Sequence, residues 1–460
     1  MSRRLDHYSY NEALIAEANR SRHDCQTEKQ RSNNCDYSEE AKRVGLDDFF
    51  QKAQDKYYEL NPNKIATKPG VTPAEVKKRY HSYDPAPGRI KLITDEAAKL
   101  ANDIKNMPIN MDKLTLREKR AVAQLLHWVE HGFPFIMPYS YDYYVGDWMM
   151  GADLFCMGPI CAVPSEVQKS LMHFKPSTVS EMETLKDKFK EIKQTFDQFV
   201  ENLKLGVAAG MVRTVEECKA GLHGLKNKYR DVAVNGPAGI YEASFIKPFL
   251  ASDFMSAFKE KSEWQAKFGK SASDSLREFA LEYVGKPIDY MLRFIEKEHI
   301  PHCAPDSVST GLGSLPLLYV FVNGSQTSQT TTQELPTGEK LNGRDSYNKL
   351  LAHFTTTSQT ADEIYNLGEK MRDKLYEEVL DLAKKITKEN DPYLAKLKFI
   401  KLINSSSMFY SDRDIPANES DANAHKVCSN VKDAARYCPN RTAAMNNWFD
   451  HTKQVRRYLL

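Results

Sequence analysis

His127, Glu130 and His131 stand in the order His-x-x-Glu-His. Two histidines four apart share one face of a helix, and the glutamate between them can act as a base. That order can therefore build a zinc site of the reversed kind. The neighbouring residues oppose it. Val122, Leu125, Leu126 and Val129 form the apolar stripe of this segment. At 100° per residue, His127 and His131 fall almost opposite that stripe and Glu130 falls on its flank. Gly132 and Pro134 end the helix at once, so the two histidines also suit an ordinary helix C-terminus. The forward order is missing: none of the 12 histidines directly precedes a glutamate.

A second group of ligand types is Glu298-His299-Ile300-Pro301-His302-Cys303. Two histidines three apart with a cysteine can bind zinc if the loop folds round the ion. No second cluster at metal-site spacing accompanies them, and Cys303 is expected to pair with Cys218. Gly311-Leu-Gly313-Ser314 lacks the strand, third glycine and lysine of a nucleotide loop, and no G-x-S-x-G elbow offers a serine nucleophile. The aromatic run from Phe133 to Trp148 is read as core before groove lining.

The elements that must position these residues are mostly helical. Leu46, Phe49, Phe50, Ala53 and Tyr57 repeat at helical spacing. Capping patterns open helices at Thr72, Thr115, Thr214, Ser275 and Thr360, and another helix is expected to begin at Thr94. A long amphipathic helix runs from about Ser180 to Gly210. Gly285 is expected to split Ser275–Val284 from Pro287–Glu298. Residues 1–45 read as a polar, cysteine-bearing arm, and 46–460 as one helical domain. Leu317–Val322 is a candidate strand, turned by Asn323-Gly324.

Composition bounds the partners. With 64 basic and 62 acidic residues the net charge is +2, and no basic stripe interleaved with aromatics suggests nucleic acid. The longest apolar stretch, Leu315 to Val322, contains Pro316 and is too short to span a bilayer. Eight cysteines include the close pairs Cys25/Cys35, Cys156/Cys161 and Cys428/Cys438, and sequons occur at Asn19, Asn323, Asn404, Asn418 and Asn440. Together they favour an extracellular or secretory setting over a cytoplasmic one, although no signal peptide is evident in this chain.

Three segments carry a family resemblance. Glu201–His223, a helix–Gly–Thr–helix unit, and Ser346–Val379, with paired threonines, a T-x-x-E cap and Leu-Gly in a long helix, resemble the domain-of-unknown-function 885 (DUF885) family. Tyr144–Cys161 resembles its invertebrate, secreted-type branch. The likeness spans roughly residues 90 to 460. It implies a mainly α, multi-helix, zincin-like peptidase scaffold with a small irregular or β region near 311–345. It also implies zinc held by a His-Glu and Pro-Gly-His signature in the full-length form. Neither signature occurs here, so no catalytic residue carries over and no cofactor is assigned to this chain. The helical run Trp448–Leu460 has no terminating signal. The chain is therefore expected to be an N-terminal portion of a zinc-dependent peptidase or dipeptidase-like protein, inactive by itself, with a peptide substrate once a C-terminal half completes it. The alternatives are a non-catalytic binding or structural protein of the same fold, and a metalloenzyme using His127, Glu130 and His131. The expected wall of the substrate groove is Gly311, Gly313, Tyr319, Gly343 and Tyr347.

Overall fold

The computed structural model describes residues 36–131, 133, 144, 147–405, 415–419 and 434–459. They are mainly helical, with one two-stranded antiparallel sheet. Two compact units divide at Ser358/Gln359.

In the first unit a short helix, Glu39–Val44, is capped by Ser38 and precedes α1 (Leu46–Leu60). Thr72 accepts from the Glu75 amide and opens α2 (Pro73–Arg79), with Pro73 in the first turn. The helix α3 (Pro87–Lys105) begins well before Thr94. Thr94 is buried within it and donates back to the Ile90 carbonyl at 2.9 Å, because Pro87 supplies the start instead. Thr115 and Glu118 exchange hydrogen bonds at the head of α4 (Leu116–His131). Leu46, Phe49 and Ala53 of α1 pack with Ile93, Ala97 and Leu100 of α3 and Trp128 and Val129 of α4.

The main core forms around α6 (Val179–Ala209), which follows α5 (Pro159–Leu171). Met182, Leu185, Phe189, Ile192, Phe196, Phe199 and Leu203 recur every three or four residues of α6 and are buried. Thr178 caps this helix, and Gly210 ends it at φ 80°. A full capping box, Thr214 with Glu217, starts α7 (Val215–Lys228). A buried ion pair, Lys64 to Glu166 at 2.5 Å, joins the turn Pro62–Thr67 to α5, and Asn63 donates to the same carboxylate at 2.6 Å.

The expected break at Gly285 does not occur. The helix α8 (Ala272–Ala280) passes through a wider turn, Leu281–Gly285, into α9 (Lys286–Phe294), and a second such turn, Ile295–His299, follows. The wide turn absorbs the missing amide of Pro287. Gly285 is a contact point: a Cβ there would lie 2.3 Å from the Pro237 carbonyl oxygen. Nor is Ser275 a cap. Ser271 caps α8, while Ser275 is buried and accepts from the Trp264 indole at 2.9 Å.

The strand is shorter than expected. β1 (Tyr319–Val322) pairs with β2 (Ser325–Thr330) through Asn323 and Gly324, both at positive φ as a two-residue hairpin turn requires. Gly343–Thr355 forms α10. Cys156 is joined to Cys161, and Cys218 to Cys303 across 85 residues. The longer link stabilises on the order of 4–5 kcal/mol in the chain-entropy account.

In the second unit a capping box of Thr360 and Glu363 opens α11 (Ala361–Thr387), followed by α12 (Pro392–Ile403) and α13 (Pro439–Leu459). Asn404 and Asn418 are exposed here, as Asn323 is in the first unit. Asn440 is half-buried, and its amide donates to Glu419 at 2.7 Å. Cys438 is buried and disulfide-bonded. Asn19, Cys25, Cys35 and Cys428 lie outside the described residues. Among the described residues no helix is long and apolar enough to cross a membrane.

Candidate functional site

Four of the five groove residues meet at one turn. Gly311, at φ 106° and ψ −161°, leads into the turn Leu312–Ser314, in backbone space closed to side-chain-bearing residues. Gly343 presses the start of α10 onto that turn, where a Cβ would stand 2.1 Å from the Leu312 carbonyl oxygen. The Gly343 amide donates to Leu315 at 3.0 Å. Buried Tyr144 fixes this helix start: its hydroxyl accepts from the Asn342 amide at 3.1 Å and shares a 2.8 Å hydrogen bond with Ser346. Tyr347, 40% exposed, then faces Gly313. Tyr319 belongs instead to β1, opposite Thr330. Glycine backbone beside one accessible phenol can form a binding wall.

Beneath this region the chain is laced to the end of α6 and the start of α7. Leu317 donates to Gly210, Ala304 to Arg213 and Val215 to Ala304. The lacing brings His299 beside the Cys218–Cys303 disulfide, with the three ligand atoms within 4.8 Å of one another. His302 turns away and meets the Phe321 carbonyl at 2.8 Å. His299 is 2% exposed, and neither ring nitrogen has a partner in hydrogen-bonding geometry. Burial pushes its pKa down to about 4, with smaller contributions from His302 and Arg213 and an opposing one from the Met150 backbone. The imidazole is therefore neutral at pH 7. The histidine–cysteine grouping and the pairing of Cys303 with Cys218 were both expected from the sequence, but that His299 and not His302 stands beside the pair was not. Cys218 enters because α7 begins where residues 303–304 cross it.

The residues of the reversed motif are arranged differently. His127 is exposed on α4, and Glu130 is ion-paired with Lys105 of α3. His131 is the last residue of α4, and its side chain lies outside the described residues. His353 of α10 was not singled out by sequence, yet it stands in the field of both neighbours. Burial lowers its pKa first, His127 lowers it further, and Glu130 opposes. No spacing rule joins residues 130 and 353; only the packing of α10 does. Among the described residues, Cys218, His299 and Cys303 are the group whose donor atoms converge closely enough for one ion, and His127 and Glu130 are not part of it.

With this geometry in place, the family is clear. Residues 72–458 match the model described as bacterial protein of unknown function (DUF885), and the chain belongs to that family. No curated protein and no solved structure matches it.

Proposed function

We propose that this chain is the scaffold of a zinc-dependent peptidase-like protein, presents a peptide-facing wall at Gly311, Gly313, Gly343 and Tyr347, and is inactive by itself. The observation that carries the reading is an apolar face in the second unit. Met371, Leu375, Val379, Leu382 and Ile386 of α11 are each 46–51% exposed. At 100° per residue they fall within an arc of about 80°, so they form one stripe. Leu394, Leu397, Ile400 and Ile403 of α12 are exposed as well. Solvated helices place such residues inward, and a stripe of this kind marks a surface that works against another polypeptide.

Among the described residues His127 and Glu130 are not in the group whose donor atoms converge, and no catalytic step is assigned to them. The purified chain, supplied with zinc and a mixed peptide pool, should leave the pool intact. It should also bind an apolar dye, and Leu375→Ser with Val379→Ser should reduce that binding without loss of helix. Zinc-dependent cleavage that vanishes in His127→Ala would transfer the chemistry to α4 and defeat the proposal.

A further inference from the structure

His299 presents a puzzle that the peptide-facing wall does not solve. It is a fully buried imidazole whose ring nitrogens make no hydrogen bond of regular geometry, with the Met150 backbone the polar group that acts on it, and two sulfurs lie within 4.8 Å of its ligand atom. Buried polar groups are nearly always well satisfied, so a ring left without a hydrogen bond of regular geometry calls for an explanation. Gly151 packs against the ring, and a Cβ there would lie 3.4 Å from Nε2. The next residue, Ala152, meets α7 at Gly221, where a Cβ would clash with the Ala152 carbonyl oxygen at 2.1 Å. The ring is held in place by backbone on one side and faces sulfur on the other.

A disulfide is a poor acceptor and a poor ligand, whereas two thiolates with a neutral imidazole are a favoured set for zinc. Cys218 lies in the first turn of α7, where the helix N-terminus favours a thiolate. His299 and Cys303 are four apart, as two ligands on one helical turn would be. We propose that Cys218, His299 and Cys303 form a redox-gated zinc site, closed as a disulfide when oxidised and open to Zn²⁺ when reduced.

The step balances. A dithiol reductant gives two electrons to the Cys218–Cys303 bond and two protons to the sulfurs, and itself becomes a disulfide. Zinc then displaces both protons to solvent, while His299 donates a lone pair and releases none. Three protein ligands leave the fourth position to water or a further donor. Reoxidation by a disulfide re-forms the S–S bond, returns two electrons to the oxidant and expels the ion. The oxidised form ties α7 to the segment after α9 covalently, and the reduced form ties them through the metal.

The test uses the full chain, reduced without oxygen by a trialkylphosphine, which does not chelate zinc as dithiols do. Because the other cysteines are reduced too, the background is a variant with Cys25, Cys35, Cys156, Cys161, Cys428 and Cys438 each replaced by Ser, which keeps Cys218 and Cys303. After addition of Zn²⁺ and desalting, the reduced chain should retain about one equivalent that the oxidised chain does not. Cys218→Ser, Cys303→Ser and His299→Ala should each lower retention about tenfold or more. With Co²⁺ the reduced chain should show sulfur-to-cobalt charge transfer and a tetrahedral ligand-field spectrum, altered in His299→Ala. The cobalt spectrum of the unsubstituted chain serves if His299→Ala fails to fold. Retention unchanged in the three variants, no metal in the reduced chain, or loss of helical circular dichroism on reduction would each overturn the proposal.

Discussion

Lys64 and Glu166 illustrate how single residues constrain this fold. Both are buried, and their ion pair lies among apolar side chains of the main core. Lys64→Met removes the partner and leaves an uncompensated carboxylate, so the expected loss is about 3–5 kcal/mol, read as a fall in denaturation midpoint. Adding Glu166→Leu should recover much of it, since an apolar pair of similar volume needs no desolvation of charge. Glu181 acts at the head of α6 and sets a pH dependence. It accepts from the Ser177 hydroxyl and amide at 2.5 and 2.8 Å and pairs with Lys77 at 3.2 Å. The Ser177 hydrogen bonds first, and then Lys77, pull its pKa from 4.5 to about 2. A depressed carboxylate stabilises the fold above its unfolded pKa, and that contribution is lost as pH falls through the folded value. Between pH 4.5 and 2 the acid limb of a stability–pH curve should therefore be shallower in Glu181→Gln than in the unsubstituted chain. An unchanged limb would remove Glu181 from the account.

At the scale of elements, contact decides what propensity cannot. Gly206 sits inside α6 and Gly368 inside α11, and helix propensity alone would favour alanine at both. A Cβ at Gly206 would lie 2.2 Å from the Met149 carbonyl oxygen, whereas Gly368 has open space around it. Gly206→Ala should cost about 1–3 kcal/mol through overpacking. Gly368→Ala should gain about 0.5–1 kcal/mol, and paired urea denaturations will show whether the signs differ. The same distinction explains what was legible in sequence. Local chemistry was readable: the caps at Thr72, Thr214 and Thr360, the Gly210 stop, and the Asn323-Gly324 hairpin turn. Tertiary decisions were not. Thr94 looked like a cap because its hydroxyl bond to Ile90 has no sequence signature. Gly285 looked like a break because the Pro237 carbonyl that needs its space lies nearly fifty residues away. Family membership was also legible, carried by the segments around Glu201–His223 and Ser346–Val379.

Across the whole molecule, the first unit buries its apolar residues around α6 and around the hairpin, while the second unit leaves those of α11 and α12 in solvent. The proposed site follows the same division. The glycine turn was recognisable from composition, yet its Tyr347 face depends on Tyr144 holding the start of α10, a contact spanning 202 residues. The histidines separated by distance rather than by motif: His299 went to the sulfurs, and His127 to the neighbourhood of His353. On the proposed function the chain engages peptide at this turn without cleaving it. Hydrogen exchange read by mass spectrometry, with a mixed peptide pool and zinc present, measures both halves at once. Slowed exchange over residues 311–347 with every peptide recovered at its starting mass is the expected result. Peptide fragments, or protection confined to segments outside 311–347, would contradict it.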